Sequence, residues 1–305
     1  MKKIFLQGIE GIAGKGAWLF IFSLTLFFHG SLTTHGADTE QMTDSVTFQP
    51  GQPVFLYQKD ETAPMSRAKA YPADPTSDIS WSGGMSGVLD IQTAFNSARI
   101  EENIQLGTSI PPLTMPSQST WDGMTDNEKA LWLVNRERID RGVHPMHGTE
   151  TNVMEVAQYY AQYLIDHDAF SHTADGLDPW SRLNTKPAIN DCHDFLNIAE
   201  NLLVFQTSGS SIALPVERAI YYWMYEDASS SWGHRHAILW YDYNDNSGKT
   251  GMEGFMGLGR ASGPHQGWNF AEMIVLNFFD PCADWIYAAE GPETIPAINN
   301  LLLLD

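Results

Sequence analysis

The sequence predicts an α+β fold on three observations. Apolar residues recur at helical spacing in several early stretches, whereas two β-prone apolar runs follow at residues 255–259 and 273–279. The turn-forming Ser262-Gly263-Pro264 lies between those runs, which is typical of an antiparallel hairpin. The regular alternation of strands and helices that marks a parallel α/β sheet is missing. The chain therefore places helices first and paired strands last.

An accessory helix is predicted ahead of the main domain. The apolar residues that recur there at helical spacing are Val88, Ile91, Phe95 and Ala98. The prolines at 111–112 stop any helix, so residues 88–120 form this helix and its linker. Residues 38–87 are rich in proline and turn residues without a sustained period, and they predict an extended, poorly structured leader.

Start signals predict the next helices. A capping-box pattern, with Thr or Asn followed three residues later by Glu, precedes two of them. It is formed by Thr125 and Glu128 ahead of the apolar run 131–139, and by Asn152 and Glu155 ahead of an apolar stripe at 153–164. Pro215 suits the first turn of a further helix, in which Val216, Ile220 and Trp223 share one face.

The charge of the chain excludes one class of partner. The 305 residues carry 17 Lys and Arg against 37 Asp and Glu, which gives a formal net charge of −20. A surface of that sign repels phosphate backbones and anionic bilayers and attracts cations. Nucleic acid is therefore not expected as a partner.

The N-terminus has the layout of an export signal. Lys2, Lys3 and Lys15 precede an apolar run at residues 17–28, and small and polar residues follow it. This run of 12 residues is shorter than the roughly 20 that a membrane span needs. We predict a signal peptide at residues 1–37, with an uncleaved anchor as the alternative. The protein would then be secreted or lie in the cell envelope, extracellular or periplasmic, without a stable membrane span after signal removal.

Cys192 and Cys282 are the two cysteines of the chain. In an oxidising compartment, two cysteines are most simply explained as a disulfide bond. We therefore predict that Cys192 and Cys282 are bonded to each other. The alternative is that both residues are buried free thiols.

Five short segments occur in an informative order. They read LVNRERIDRGVHPM at 133–146, VMEVAQYYAQYLIDHDAFSH at 153–172, IAENL at 198–202, WGHRHAIL at 232–239 and GFMGLG at 254–259. Together they resemble the first two helices, the G-E-N-[LI] motif, the G-H-[YR] segment and the G-x-G strand of the CAP superfamily, whose members are also called SCP-like proteins. The likeness is to bacterial members of that family.

This resemblance implies a three-layer α/β/α sandwich with an antiparallel central sheet over residues 121–287, followed by a tail at 288–305. It also implies a central cleft lined by two histidines and two glutamates. By motif, this cleft tetrad maps to His172, Glu200, Glu226 and His234, with Asp227 as an alternative to Glu226.

Two histidines beside two carboxylates suit a divalent metal. Neutral imidazole is a good ligand for zinc or copper, and two histidine ligands leave coordination positions open. The carboxylates would orient the rings or hold a metal-bound water. We predict a metal site with His172 and His234 as ligands and zinc as the favoured metal. The alternative for either histidine is a hydrogen-bonded structural role.

A second cation site is predicted from spacing alone. Asp242, Asn244, Asn246 and Glu253 occupy positions one, three, five and twelve of a calcium-loop pattern. Ser247 stands where such loops have glycine. The alternative is a solvated turn of polar residues.

The sequence favours binding over catalysis. Neither cysteine lies in a nucleophile motif, and the sequence contains no Gly-x-Ser-x-Gly elbow and no His-Glu-x-x-His helix. We expect a non-enzymatic extracellular module whose cleft holds a divalent metal, with a small apolar ligand or a protein as partner. The alternative is a metal-dependent hydrolase that acts on peptide or cell-wall substrates through a bound water.

Overall fold

The computed structural model describes residues 47–50, 54–57, 73–79, 86–190, 197–240, 243 and 254–280, all within the compact unit Thr43–Asp305. Several predictions fall outside these residues and stay predictions. They concern the signal peptide at 1–37, the disulfide of Cys192 and Cys282, the calcium-loop residues Asp242, Asn244, Asn246 and Glu253, and the tail at 288–305. No helix within the described ranges has the length and apolar content to cross a membrane.

The described chain has an α+β fold, as predicted. Its helices are α1 (Val88–Leu106), α2 (Gln118–Asp122), α3 (Asp126–Ile139), α4 (Thr151–Asp166), α5 (Pro179–Leu183), α6 (Pro187–Asn190), α7 (Pro215–Tyr225) and α8 (Gly233–Leu239). Its strands are β1 (Thr47–Pro50), β2 (Val54–Tyr57), β3 (Gly148–Thr149), β4 (Asn197–Thr207), β5 (Phe255–His265) and β6 (Trp268–Phe279). The predicted helices at the accessory segment and at Pro215 are confirmed as α1 and α7.

These strands form one mixed sheet in the order β1-β4-β6-β5-β3, and β2 also pairs with β4. β6 pairs antiparallel with both β4 and β5, so the predicted hairpin of β5 and β6 is confirmed. The sheet is not wholly antiparallel, because β3 pairs with the start of β5 in parallel. Parallel neighbours need a long connection between them, and the chain from α4 to α8 provides it.

The leader contributes two strands that the sequence did not predict. β1 pairs with residues 203–206 and β2 with residues 197–200, both antiparallel to β4. Each of these strands has four residues, which is too short for a recognisable alternation of apolar and polar positions. The expectation of a poorly structured leader is therefore corrected at these two places, where backbone pairing with β4 holds the chain.

Capping groups explain where the long helices begin. The predicted box at α3 is confirmed: the Thr125 hydroxyl accepts from the Glu128 N–H, and the Glu128 carboxylate accepts from the Thr125 N–H at 2.6 Å. The predicted start of α4 at Asn152 is wrong. The buried carboxylate of Glu150 caps this helix instead, accepting from the Val153 N–H at 2.9 Å. Glutamate is a less common N-cap residue than asparagine, so the pattern favoured the wrong position.

Helices cover both faces of the sheet. Successive strand residues point to opposite faces, so each strand contributes to two cores. On the face that we call the α4 face, the core includes Ala157, Tyr160, Leu164, Leu202, Val204, Met273 and Val275. On the opposite face, which we call the α7 face, the core includes Phe95, Leu133, Val134, Leu203, Ile220, Trp223, Ile238 and Leu276, from α1, α3, α7, α8 and the sheet.

The contact between α4 and β5 leaves no space for side chains. A Cβ added to Gly257 would lie 2.3 Å from the backbone nitrogen of Met154, and one added to Gly259 would lie 2.1 Å from the carbonyl carbon of Ala157. Neither distance is sterically possible. The two glycines of the G-x-G segment share the α4 face, and their absent side chains allow the helix to pack directly on the strand.

Side-chain amides complete the outer edge of β5 beyond β3. Asn127 on α3 donates to the carbonyl of Leu258 at 2.9 Å and accepts from its N–H at 2.7 Å. Gln158 on α4 makes the same two bonds with Arg260, at 2.9 and 3.1 Å. Each amide therefore satisfies a backbone donor and a backbone acceptor that would otherwise need a neighbouring strand.

Buried ion pairs join α1 to α3 and to the residues that follow α3. Arg99 of α1 contacts Glu137 at 2.7 Å and Asp140 at 2.6 Å, and Glu102 of α1 contacts Arg141 at 2.6 Å. These side chains are at most 5% exposed. Because an unpaired buried charge is strongly destabilising, α1 is firmly attached to the rest of the fold.

Gly257→Ala is expected to destabilise the fold by at least about 2 kcal/mol, because the new methyl group would force the α4 backbone away from β5. Chemical denaturation followed by circular dichroism measures this change. Gly263→Ala is the matched control on the same strand and face, since its Cβ would meet a methyl group of the Ile165 side chain at 2.9 Å rather than backbone. Equal losses in the two variants would contradict the proposed close contact.

Glu137 makes the stability of the fold depend on pH. Burial alone would raise the pKa of its carboxyl, but the charges of Arg99 and Arg141 lower it to about 2. Because the unfolded pKa is about 4.3, the ionised group stabilises the fold fully above that pH, and this contribution is lost as the pH falls towards 2.

We expect the free energy of unfolding of the wild type to fall by roughly 3 kcal/mol more than that of Glu137→Gln between pH 5 and pH 2. Urea denaturation across this range measures the difference. Glu155→Gln is the control, because the Glu155 side chain is 56% exposed. If Glu137→Gln retains the full acid sensitivity of the wild type, the assignment of this dependence to Glu137 is wrong.

Candidate functional site

His172 and Glu200 meet on the α4 face of the sheet. The chain leaves α4 at Asp166 and reaches His172, whose Nδ1 lies 2.7 Å from Oε1 of Glu200 in β4. His172 is 7% exposed and Glu200 is fully buried. Because the carboxylate oxygen accepts, Nδ1 of His172 is the donor, and burial strengthens this hydrogen bond. Two members of the predicted tetrad are thus in direct contact.

Arg182 of α5 completes this site, although no sequence pattern predicted it. Its Nη1 donates to Oε2 of Glu200 at 2.8 Å, and its Nη2 donates to the backbone carbonyl of His172 at 2.7 Å. The guanidinium carbon lies 3.2 Å from the centroid of the Tyr160 ring, which supports it from α4. Both carboxylate oxygens of Glu200 are therefore engaged by positively polarised groups.

Asp175 holds Arg182 in this position. The carboxylate accepts from Nε at 2.9 Å and from Nη2 at 3.0 Å. Burial alone would lower the pKa of Arg182, but its bonds to Asp175 and the charge of Glu200 raise it. Burial alone would raise the pKa of the Asp175 carboxyl, but the hydrogen bonds from Arg182 lower it. Asp175 and Arg182 are therefore both ionised at neutral pH.

A local signal in the sequence could have located the helix that carries Arg182. Asp178 caps α5 by accepting from the Ser181 N–H at 2.7 Å, and Pro179 occupies the first helical position. Asp followed by Pro is a typical helix start. This pattern predicts the helix, but it does not show which of its side chains faces β4.

His234 pairs with Asp227 on the α7 face of the sheet. Its Nδ1 lies 2.6 Å from Oδ1 of Asp227, and its backbone N–H donates to Oδ2 at 2.8 Å. The backbone N–H of Arg235 donates to the same Oδ2 at 3.1 Å. One carboxylate therefore caps the first turn of α8 and also orients the His234 ring.

Asp227 takes the place that the motif assigned to Glu226. Glu226 is the C-cap residue of α7, where its backbone N–H donates to the carbonyl of Tyr222 at 3.0 Å, and it is half-buried. Because α7 ends at this point, the next residue is the one that faces the start of α8. Asp227 is 1% exposed, so the carboxylate beside His234 is corrected from Glu226 to Asp227.

The surroundings of His234 set it apart from a structural histidine. Ser231 and Trp232 just before it have φ values of 56° and 60°, which are strained for residues with a side chain. The His234 ring stacks on Trp223 with 6.4 Å between centroids, and it is fully buried. Within the described part of the chain, its Nε2 has no hydrogen-bond partner. Buried polar atoms are almost always satisfied, so this nitrogen is a candidate ligand atom.

The two histidine sites lie on opposite faces of β4. His172 contacts the side chain of Glu200, whereas the next strand residue, Asn201, donates to the backbone carbonyl of His234 at 3.1 Å. Consecutive strand residues point to opposite faces. Among the residues that the structure describes, no group of three or more His, Cys, Asp or Glu side chains is arranged to hold a metal. The tetrad is thus present as two pairs, and a shared metal stays a prediction.

A surface cavity of about 230 Å³ lies at the outer edge of β5 and is not lined by either histidine. Arg260 in its wall pairs with Glu272 and with Asp126, both at 2.8 Å. The hydrogen bonds that Arg260 donates to the Glu272 carboxylate raise the pKa of Arg260. Each of these charged side chains therefore has a partner within the protein, and the histidine sites are the stronger candidates for ligand binding.

Comparison of the chain with protein-family models, curated proteins and solved structures finds no match. The function is therefore inferred from two groups of residues in the chain itself. They are the site of His172, Glu200 and Arg182 on the α4 face and the pair of Asp227 and His234 on the α7 face.

Asp227→Asn is expected to lower the free energy of unfolding by about 2 kcal/mol, because an amide cannot accept from the His234 ring and from two backbone N–H groups together. Thermal and urea denaturation measure this loss. Glu226→Gln is the matched control at the adjacent position, and we expect a smaller change there. A larger loss for Glu226→Gln than for Asp227→Asn would contradict the assignment of Asp227.

Proposed function

We propose that residues 121–287 form a domain of the CAP type with three layers. The order of the parts supports this proposal: α3 and α4 precede β4, and α7, α8 and the hairpin of β5 and β6 follow. α4 packs on one face of the sheet, and α3, α7 and α8 contribute to the core of the other. Such coverage is what a three-layer α/β/α sandwich requires.

We further propose that this domain is a non-enzymatic binding module that acts outside the cell or in the cell envelope and holds a divalent metal, most suitably zinc. The environment of His234 carries this proposal. Its Nδ1 is fixed by a buried carboxylate, and its buried Nε2 has no hydrogen-bond partner among the described residues. Metal-binding histidines commonly donate one ring N–H to a carboxylate and coordinate through the other nitrogen.

His172 has the same arrangement at Nδ1, so coordination by this residue would also use Nε2. Glu200 and Asp227 would fix the ring orientations and raise the basicity of the ligand atoms. A bound zinc ion would supply an open coordination position for a donor atom of the ligand. The ligand that we propose is a small apolar molecule or a protein, because the net charge of −20 opposes nucleic acid.

A metal-dependent hydrolase acting on peptide or cell-wall substrates is the second candidate. The observation that favours it is the contact of Asp227 with Nδ1 of His234 at 2.6 Å. A carboxylate placed in this way fixes the tautomer in which Nε2 can accept a proton from a water. Turnover of peptide or peptidoglycan that chelation abolishes and zinc restores would favour the hydrolase.

Isothermal titration of the chelator-treated full chain with zinc tests the metal site. We expect binding that is at least about tenfold weaker in His234→Asn, and His172→Asn tests whether the histidine on the other face of β4 is also a ligand. Asparagine retains a donor near the position of Nδ1 and removes Nε2, so the carboxylate contact is preserved as far as possible. Circular dichroism confirms that each variant is folded.

His167→Ala is the control, because His167 is exposed and lies outside both histidine sites. Loss of affinity in only one of the two asparagine variants would assign the metal to that histidine alone. Equal affinity in wild type and in both variants, or no zinc binding by the wild type, would overturn the proposed metal site.

A further inference from the structure

The residues that precede the CAP-like region reach the helix that carries His234. Arg235 of α8 contacts Glu102 of α1 at 2.5 Å, and His236 contacts Asp74 at 2.8 Å. The Asp74 carboxylate also lies 3.5 Å from Nε of Arg235. Two consecutive side chains of α8 are therefore held by Asp74 and Glu102, which belong to the N-terminal extension, the part of the chain before residue 121.

The position of Arg235 affects His234 through one carboxylate. Asp227 accepts from the backbone N–H groups of both residues at 2.8 and 3.1 Å, and it accepts from Nδ1 of the His234 ring at 2.6 Å. α8 has only seven residues, so its own hydrogen bonds resist displacement weakly. A shift of Arg235 would alter the contact that orients the His234 ring.

We infer that Glu102 and Asp74 are positioning residues for His234, so that the N-terminal extension takes part in the binding site. Glu102 anchors α8 from α1, and Asp74 anchors it from the chain ahead of α1. Neither carboxylate contacts the His234 ring in the described structure. This inference rests on the proposed role of His234 as a ligand.

The charges around Glu102 explain why loss of its carboxylate is expected to displace α8. Glu102 is fully buried and contacts both Arg141 at 2.6 Å and Arg235 at 2.5 Å. Without the carboxylate, two buried guanidinium groups would repel each other. α1 and α3 are joined by other ion pairs, so the short α8 is the part expected to move.

Glu102→Gln tests this inference in the full chain, with Glu101→Gln as the matched control on the exposed side of α1. Long-range proton–nitrogen NMR of the imidazole rings, without metal, reports the tautomer of His234 and the strength of its bond to Asp227. His234→Asn identifies the His234 signals. In Glu102→Gln, we expect the His234 signals to change and the His172 signals to stay as in the wild type. In Glu101→Gln, we expect the signals of both histidines to stay as in the wild type.

Zinc affinity is measured on the same samples, and we expect Glu102→Gln to bind about tenfold more weakly. Unchanged His234 signals in folded Glu102→Gln would overturn the inference. A wild type that does not bind zinc would overturn the proposed metal site, and the metal-free tautomer would still decide whether Glu102 positions His234.

Asp74→Asn provides a second test that does not depend on the folding of Glu102→Gln. The Asp74 side chain is 25% exposed, so this substitution leaves no buried charge unpaired in a closed core. We expect the NMR signals of His234 to shift in the same direction as in Glu102→Gln, by a smaller amount. If the His234 signals of Asp74→Asn are those of the wild type, Asp74 is not a positioning residue. If Glu102→Gln also fails to fold, this same result overturns the inference as a whole.

Discussion

Charges buried between α1, α3 and α8 impose the constraint on which the rest of the structure depends. Glu137 contacts Arg99 and Arg141, and Glu102 contacts Arg141 and Arg235, so positive and negative groups alternate along one continuous chain of ion pairs. Each of these side chains is almost fully desolvated. Displacement of one helix would leave a charge of its neighbour unpaired in the interior. The three helices therefore have to assemble together, which fixes the place of α8 against the sheet.

β4 provides the second constraint, because both histidine sites are attached to it. Glu200 extends from β4 to His172 on the α4 face, and Asn201 extends to the carbonyl of His234 on the α7 face. A shift of the strand register by one residue would exchange these two faces. The pairing of β4 with β6 over ten residue pairs opposes such a shift. The pairing of β1 and β2 with the other edge of β4 also opposes this shift.

Local signals account for what the sequence predicted, and long-range contacts account for what it missed. The box of Thr125 and Glu128 predicted the start of α3 because both partners lie within one helical turn. The place of Arg182 was not predictable, because its contact with Glu200 joins a helix to a strand. The leader strands were missed for the same reason, since β4 supplies their hydrogen bonds.

The acid beside His234 shows how a small local difference changes a site. The motif placed this acid at the right part of the chain but at Glu226 rather than Asp227. Which of the two faces α8 depends on the residue at which α7 ends, and helix ends are set by tertiary packing as well as by sequence. The motif placed His172 and Glu200 in one cleft without pairing them, and their side chains are in contact at 2.7 Å.

The amides of Asn127 and Gln158 also protect the protein from other copies of itself. An open strand edge is a template on which a second chain can add a strand, and repeated addition leads to domain swapping or fibrils. An incoming strand on β5 would first have to break the four hydrogen bonds of these amides. Further along β5, Pro264 offers no N–H to it. Addition of a strand from a second copy is therefore less favourable at Leu258 and Arg260, where the amides already occupy the backbone groups.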